Sequence, residues 1–143
     1  MVTLDHTNIR SFDLAGTIEF YEDIVGLKAG AFPGAPGQGA WLYDDDGHPV
    51  IHVVAIDPAR PEPVLASIRE RMGDLIETLD PAGFTGSGAI DHIAFRCSDY
   101  DGVRGRIESR KIAFRSNEVP SFNLRQLFVN DPSGIVVELN FHG

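Results

Sequence analysis

His6 and His92 stand 86 residues apart, and His52 and Glu138 repeat that interval. Three imidazoles and one carboxylate make a nitrogen-and-oxygen donor set of the kind that holds Zn, Ni, Fe, Mn or Co. The chain has one cysteine, Cys97, which excludes an internal disulfide and a thiolate cluster, so a metal here must rely on imidazole and carboxylate. Cys97 itself falls in an apolar strand pattern and reads as a small buried residue, not a catalytic thiol.

The interval belongs to a longer repeat. Leu4-Asp5-His6 corresponds to Ile90-Asp91-His92, Arg10 to Arg96, Asp13 to Asp99 and Gly16 to Gly102. Further on, Trp41-Leu42-Tyr43-Asp44-Asp45 falls on Leu127-Phe128-Val129-Asn130-Asp131, and Val50-Ile51-His52-Val53 on Val136-Val137-Glu138-Leu139. Two distant segments sharing one offset point to a duplicated unit.

Each copy reads as βαβββ. Residues 4–10 alternate as a strand, and Asp13 caps a helical stripe of Leu14, Ile18, Tyr21 and Val25 that Gly26 stops. Strands follow at 27–32, 39–44 and 49–56, the last after the Asp46-Gly47 turn. The second copy places strands at 89–97, 112–117, 123–129 and 134–141, with a helix from Asp99 to Arg110. The expected organisation is one domain over 1–143, with module one at 1–56, a connector at 57–88 and module two at 89–143. The connector carries Val64, Leu65, Ile68, Met72, Leu75, Ile76 and Leu79 at helical spacing, a packing stripe without chemistry. The fold class is α+β, two modules forming a curved mixed sheet around a cleft.

Alternation sets the faces. His6, Asn8 and Arg10 share one side of their strand, as do Val50, His52 and Val54, His92, Ala94 and Arg96, and Val136, Glu138 and Asn140. Each strand thus carries an ionisable group away from the helix, costly if buried unpaired. A divalent cation shared by His6, His52, His92 and Glu138 supplies the partner; a hydrogen-bonded cleft network without metal is the alternative. Arg96 suits a substrate carboxylate or phenolate, and Trp41, Phe32 and Phe122 suit the wall of an aromatic or apolar pocket. His48 and the run Asp44-Asp45-Asp46 read as a solvated turn that lacks the spacing of a calcium loop.

Composition narrows the partners. Hydrophobic residues make up 43% and charged residues 23% of the 143, an ordinary globular balance. A formal charge of −9, from 12 basic and 21 acidic residues, repels nucleic acid and anionic membranes. No apolar run approaches the ~18 residues of a membrane span, and the expected location is the cytoplasm.

Leu4-Asp5-His6, the helix end Phe20-Tyr21-Glu22-Asp23-Ile24-Val25-Gly26-Leu27, Ile90-Asp91-His92-Ile93-Ala94-Phe95 and the run from Phe128 through Asp131-Pro132-Ser133-Gly134 to Glu138-Leu139 resemble the vicinal oxygen chelate superfamily. That group includes glyoxalase I, extradiol dioxygenases, methylmalonyl-CoA epimerase and fosfomycin-resistance proteins. The resemblance implies paired βαβββ modules enclosing one divalent metal, with His6, His92 and Glu138 at the common ligand positions and His52 at the fourth. Position 52 departs from glyoxalase I, which has a carboxylate there. The resemblance also implies a small-molecule substrate chelated through vicinal oxygens and a homodimer. Two enzymatic readings compete: a lyase or isomerase in which Glu138 or a metal-bound hydroxide removes a proton next to a carbonyl, and a non-haem Fe(II) extradiol dioxygenase acting on a catechol, in which His6, His92 and Glu138 hold the metal and His52, if off the metal, is an acid/base residue. A binding or resistance protein without turnover is the third reading.

Overall fold

The structure, a computed structural model, describes residues 1, 3–75 and 79–143. Its first sheet has the order β1-β4-β3-β2 and its second β5-β8-β7-β6. The strands of the first are β1 (Thr7–Ser11), β2 (Lys28–Ala29), β3 (Gly39–Tyr43) and β4 (Pro49–Ala55). Those of the second are β5 (Ile93–Arg96), β6 (Phe114–Val119), β7 (Leu124–Asn130) and β8 (Val136–His142). Helix α1 (Leu14–Phe20) follows β1, and α3 (Tyr100–Ser109) follows β5, so the βαβββ order occurs twice in an α+β fold. The registers carry the repeat as well: parallel strands β1 and β4 set Asn8 opposite His52, while β5 and β8 set Ala94 opposite Glu138.

Both helices begin alike. Asp13 Oδ1 accepts the Gly16 amide and Asp99 Oδ1 accepts that of Gly102, satisfying donors that a helix start leaves open. A Cβ at either glycine would collide with the capping carboxylate, which accounts for glycine at both repeat positions. After α1 the chain widens into a π-helical turn, Tyr21–Val25, that ends on Gly26 at φ 97°. The turn buries Tyr21 and Ile24 completely.

One apolar core serves both modules, joining Ile9, Tyr21, Ile24, Leu42 and Ile51 of the first to Val103, Ile107, Leu127 and Leu139 of the second. A polar tie crosses it. The Tyr21 hydroxyl donates to Asp131 at 2.9 Å, and the other carboxylate oxygen of Asp131 accepts the amides of Ser133 and Ile135. On the surface Arg110 pairs with Glu19 and Asp23, and the Ser133 hydroxyl donates to the Arg10 carbonyl.

Several boundaries differ from the sequence expectation. The first strand starts at Thr7 rather than residue 4, because Thr7 pairs with Ile51 and the next parallel partner back along β4 approaches Pro49, which has no amide to donate. Likewise β5 starts at Ile93, since its partner β8 begins only after the Asp131–Gly134 turn. His6 and His92 therefore precede the ladders instead of lying mid-strand. Strand β2 is two residues long rather than the expected 27–32, pairing only Lys28 and Ala29 before the Gly/Pro-rich loop. The connector forms helix α2 (Glu62–Met72), which stops at Gly73, φ 51°. Of its expected stripe, Ile68 is buried, Met72 and Leu75 are exposed, and Ile76 lies outside the described residues. Among the described residues no helix is long and apolar enough to cross a membrane.

Candidate functional site

Each module contributes a pair. In the first, antiparallel strands β3 and β4 place Trp41 opposite His52. The His52 ring stacks on the indole at 4.2 Å and 11°, and on its other side the His6 ring stacks at 3.8 Å and 13°. His6 is half-exposed, and its Nδ1 lies 2.5 Å from Asp5 Oδ2. His52 Nε2 is buried and, among the described residues, has no hydrogen-bond partner. Burial foremost, then the neighbouring His6, pushes the His52 pKa down, opposed by Asp5.

In the second module His92 Nε2 lies 3.1 Å from Glu138 Oε2. Its Nδ1 is 2.7 Å from Asp91 Oδ1. The Asp91 hydrogen bond pushes the His92 pKa up, with Glu138 adding to it and partial burial opposing. Glu138 is 9% exposed, and its Oε1 accepts from Gln126 Nε2 at 2.9 Å and Asn140 Nδ2 at 2.7 Å. Asn117 donates in turn to the Gln126 carbonyl. Two amides thus hold Oε1, that of Gln126 braced by Asn117, and Oε2 faces His92.

These donors suit a divalent cation. Asp5 and Asp91 occupy the Nδ1 side of His6 and His92, which leaves Nε2 as the available lone pair, the usual outer carboxylate on a ligating histidine. The 3.1 Å between His92 Nε2 and Glu138 Oε2 is close to the ~3.4 Å edge of a tetrahedron with bonds of about 2.1 Å. The unpartnered Nε2 of His52 is a third donor without another use. Even so, no three of His6, His52, His92 and Glu138 bring ligating atoms within 4.8 Å of one another in one chain; among the described residues only Asp44, Asp46 and His48 do. Asp46 and His48 of that second group are exposed and Asp44 is partly buried, and Asp44 Oδ1 already accepts the amides of Asp46 and His48. The sequence reading of a solvated turn missed this convergence, which follows from the turn that closes hairpin β3–β4.

Arg96 is exposed on β5, opposite Asn140. Phe32 meets Trp41 edge-on at 6.5 Å, so these two aromatics do share a wall with His52. Phe122 stands 75% exposed in the turn Pro120–Phe122. Sequence reasoning missed Asp5, Asp91, Gln126 and Asn140 as supporting groups. The repeated Asp-His dipeptide was a usable signal for the first two; alternation along a strand gives none for the amides.

The Glyoxalase/Bleomycin resistance protein/Dioxygenase superfamily model matches residues 3–139, and the chain belongs to that superfamily. Among solved structures it is similar to lactoylglutathione lyase from Agrobacterium tumefaciens, at 19% identity and TM-score 0.62 over 97% of this chain and 92% of that one. A glyoxylase/bleomycin resistance protein/dioxygenase domain from Frankia sp. EAN1pec aligns at 16% identity and TM-score 0.65, covering 100% and 93%. An antibiotic binding protein from Streptomyces sp. CB03234 aligns at 20% identity and TM-score 0.60, covering 100% and 98%. These likenesses concern the fold. No curated protein matches the sequence.

Proposed function

We propose that the protein is a divalent-metal-dependent lyase or isomerase that holds a small substrate through two neighbouring oxygens, as a relative of lactoylglutathione lyase. The observation that carries this reading is the His92–Glu138 pair, oriented by Asp91 on one side and by Gln126 and Asn140 on the other. His6, His52, His92 and Glu138 are the proposed ligands. Bound there, a divalent ion supplies Lewis-acid stabilisation of negative charge on substrate oxygens. Glu138, oriented by two amide donors, takes and returns the proton next to the substrate carbonyl. Trp41 and Phe32 line the apolar side and exclude water. Because the two pairs do not converge on one point within a chain, a second copy completes the set in a homodimer.

The His6–His52 stack favours a second reading. Two rings 3.8 Å apart and 13° from parallel direct their in-plane lone pairs side by side, so one cation cannot lie in both planes until a ring turns. If His52 stays in the stack, His6, His92 and Glu138 remain as a two-histidine, one-carboxylate set, which suits non-haem Fe(II) and a catechol substrate. Metal analysis of protein purified without a chelating tag, followed by assays with lactoylglutathione and with catechols, separates the two. Zinc or nickel with lyase turnover supports the first, iron with ring cleavage the second, and metal-free protein that binds ligands without turnover contradicts both.

A further inference from the structure

A cavity of about 300 Å³ lies between β1, α2, the 83–87 loop and the start of β5. Two guanidiniums line it: Arg10 from β1 and Arg71 from the last turn of α2. Arg10 sits 4.6 Å from the centroid of the Phe84 ring. Among the described residues, no carboxylate lies within 4.0 Å of either arginine.

Two like charges brought to one cavity wall repel, the more so where solvent is displaced. Burial, and after it the Arg71 charge, holds the Arg10 pKa below its ordinary value. What that environment lacks is an anion. We propose that this cavity binds an organic carboxylate with an apolar body, the carboxylate between Arg10 and Arg71 and the body against Ile68, Ile93 and Ile135. The Phe84 ring centroid lies 4.6 Å from the Arg10 guanidinium carbon, a contact with the cation that does not consume its N–H donors. The volume lies at the lower end of small-molecule pockets, which run from about 300 to 1,000 Å³.

The site needs no metal, so its test is independent of the proposed reaction. Purified protein is titrated at constant ionic strength with hexanoate, benzoate or inorganic phosphate, followed by calorimetry and amide chemical shifts. Hexanoate or benzoate should bind saturably at millimolar concentration, shifting the amides of Gly86 and Ser87, and equally well after EDTA treatment. R71Q, on an exposed helix end, should weaken binding about 10-fold or more, as loss of a charge-assisted hydrogen bond implies; R10Q should do the same, and if it fails to fold R71Q alone decides. Absence of saturable binding, or wild-type affinity in R71Q, overturns the proposal. Loss of binding on EDTA treatment also overturns it, by placing the carboxylate on a metal. Phosphate binding as tight as hexanoate overturns the apolar-body assignment.

Discussion

At His52 the sequence and the structure pull on one residue from two sides. Its ring is clamped between His6 and Trp41, yet its Nε2 has no partner. If it ligates, His52→Ala should weaken metal binding about as much as His6→Ala; if it acts only as an acid or base, occupancy should hold while turnover falls by the ~10²–10⁴ typical of such a loss. The chain's one tryptophan provides the readout: drawing His52 out of the stack on metal addition should change Trp41 emission, and an unchanged spectrum at full occupancy would contradict ligation. Cys97 gives a pH prediction. Burial raises its thiol pKa from 9.0 to about 11, so at pH 8 the native thiolate fraction is about 100-fold below that of the unfolded chain. Iodoacetamide should modify native protein correspondingly slowly, with a rate that climbs tenfold per pH unit until about pH 11. A raised folded pKa contributes fully below pH 9.0 and is lost as pH rises through about 11. A rate that levels off near pH 9 would refute it.

At the scale of elements, the residues that carry the site were legible wherever the repeat spoke. Strand alternation put His52 and Glu138 on the side away from the helices, and the observed registers keep them at matching points, opposite Asn8 and Ala94. What alternation missed was where ladders stop, since the starts of β1 and β5 depend on partners some 40 residues away, at Pro49 and Val136. Phe122, proposed for a pocket wall, stands between the two strands expected at 112–117 and 123–129, in the turn Pro120–Phe122. The turn that closes β7–β8 does more than connect. Asp131→Ala leaves the Tyr21 hydroxyl and two backbone amides without their acceptor, a loss of about 3 kcal/mol or more at ~1–3 kcal/mol per unsatisfied group. Tyr21→Phe should cost less, about 1 kcal/mol, because the carboxylate keeps its backbone donors. Urea denaturation of both variants checks the order, and an Asp131→Ala protein as stable as wild type would show that the tie between modules contributes nothing.

For the whole molecule, the repeat foretold two equivalent modules but not how their donors meet. The separate His6–His52 and His92–Glu138 pairs make completion by a second copy the expectation. Sedimentation should find a species near twice 15.6 kDa, and mixing His6→Ala with Glu138→Ala protein should restore metal binding at one of two sites, because each chain supplies the pair the other lacks. A monomer that binds metal at full affinity would exclude the shared site. On the proposed reading the four repeat-related side chains, His6, His52, His92 and Glu138, hold one divalent ion. Isothermal titration of metal-stripped wild type beside His92→Ala and Glu138→Ala tests it most directly. The account predicts one ion per chain, and in each variant an affinity lower by more than the ~10–100-fold that outer-shell changes alone produce; unchanged affinity and stoichiometry in both variants would contradict it.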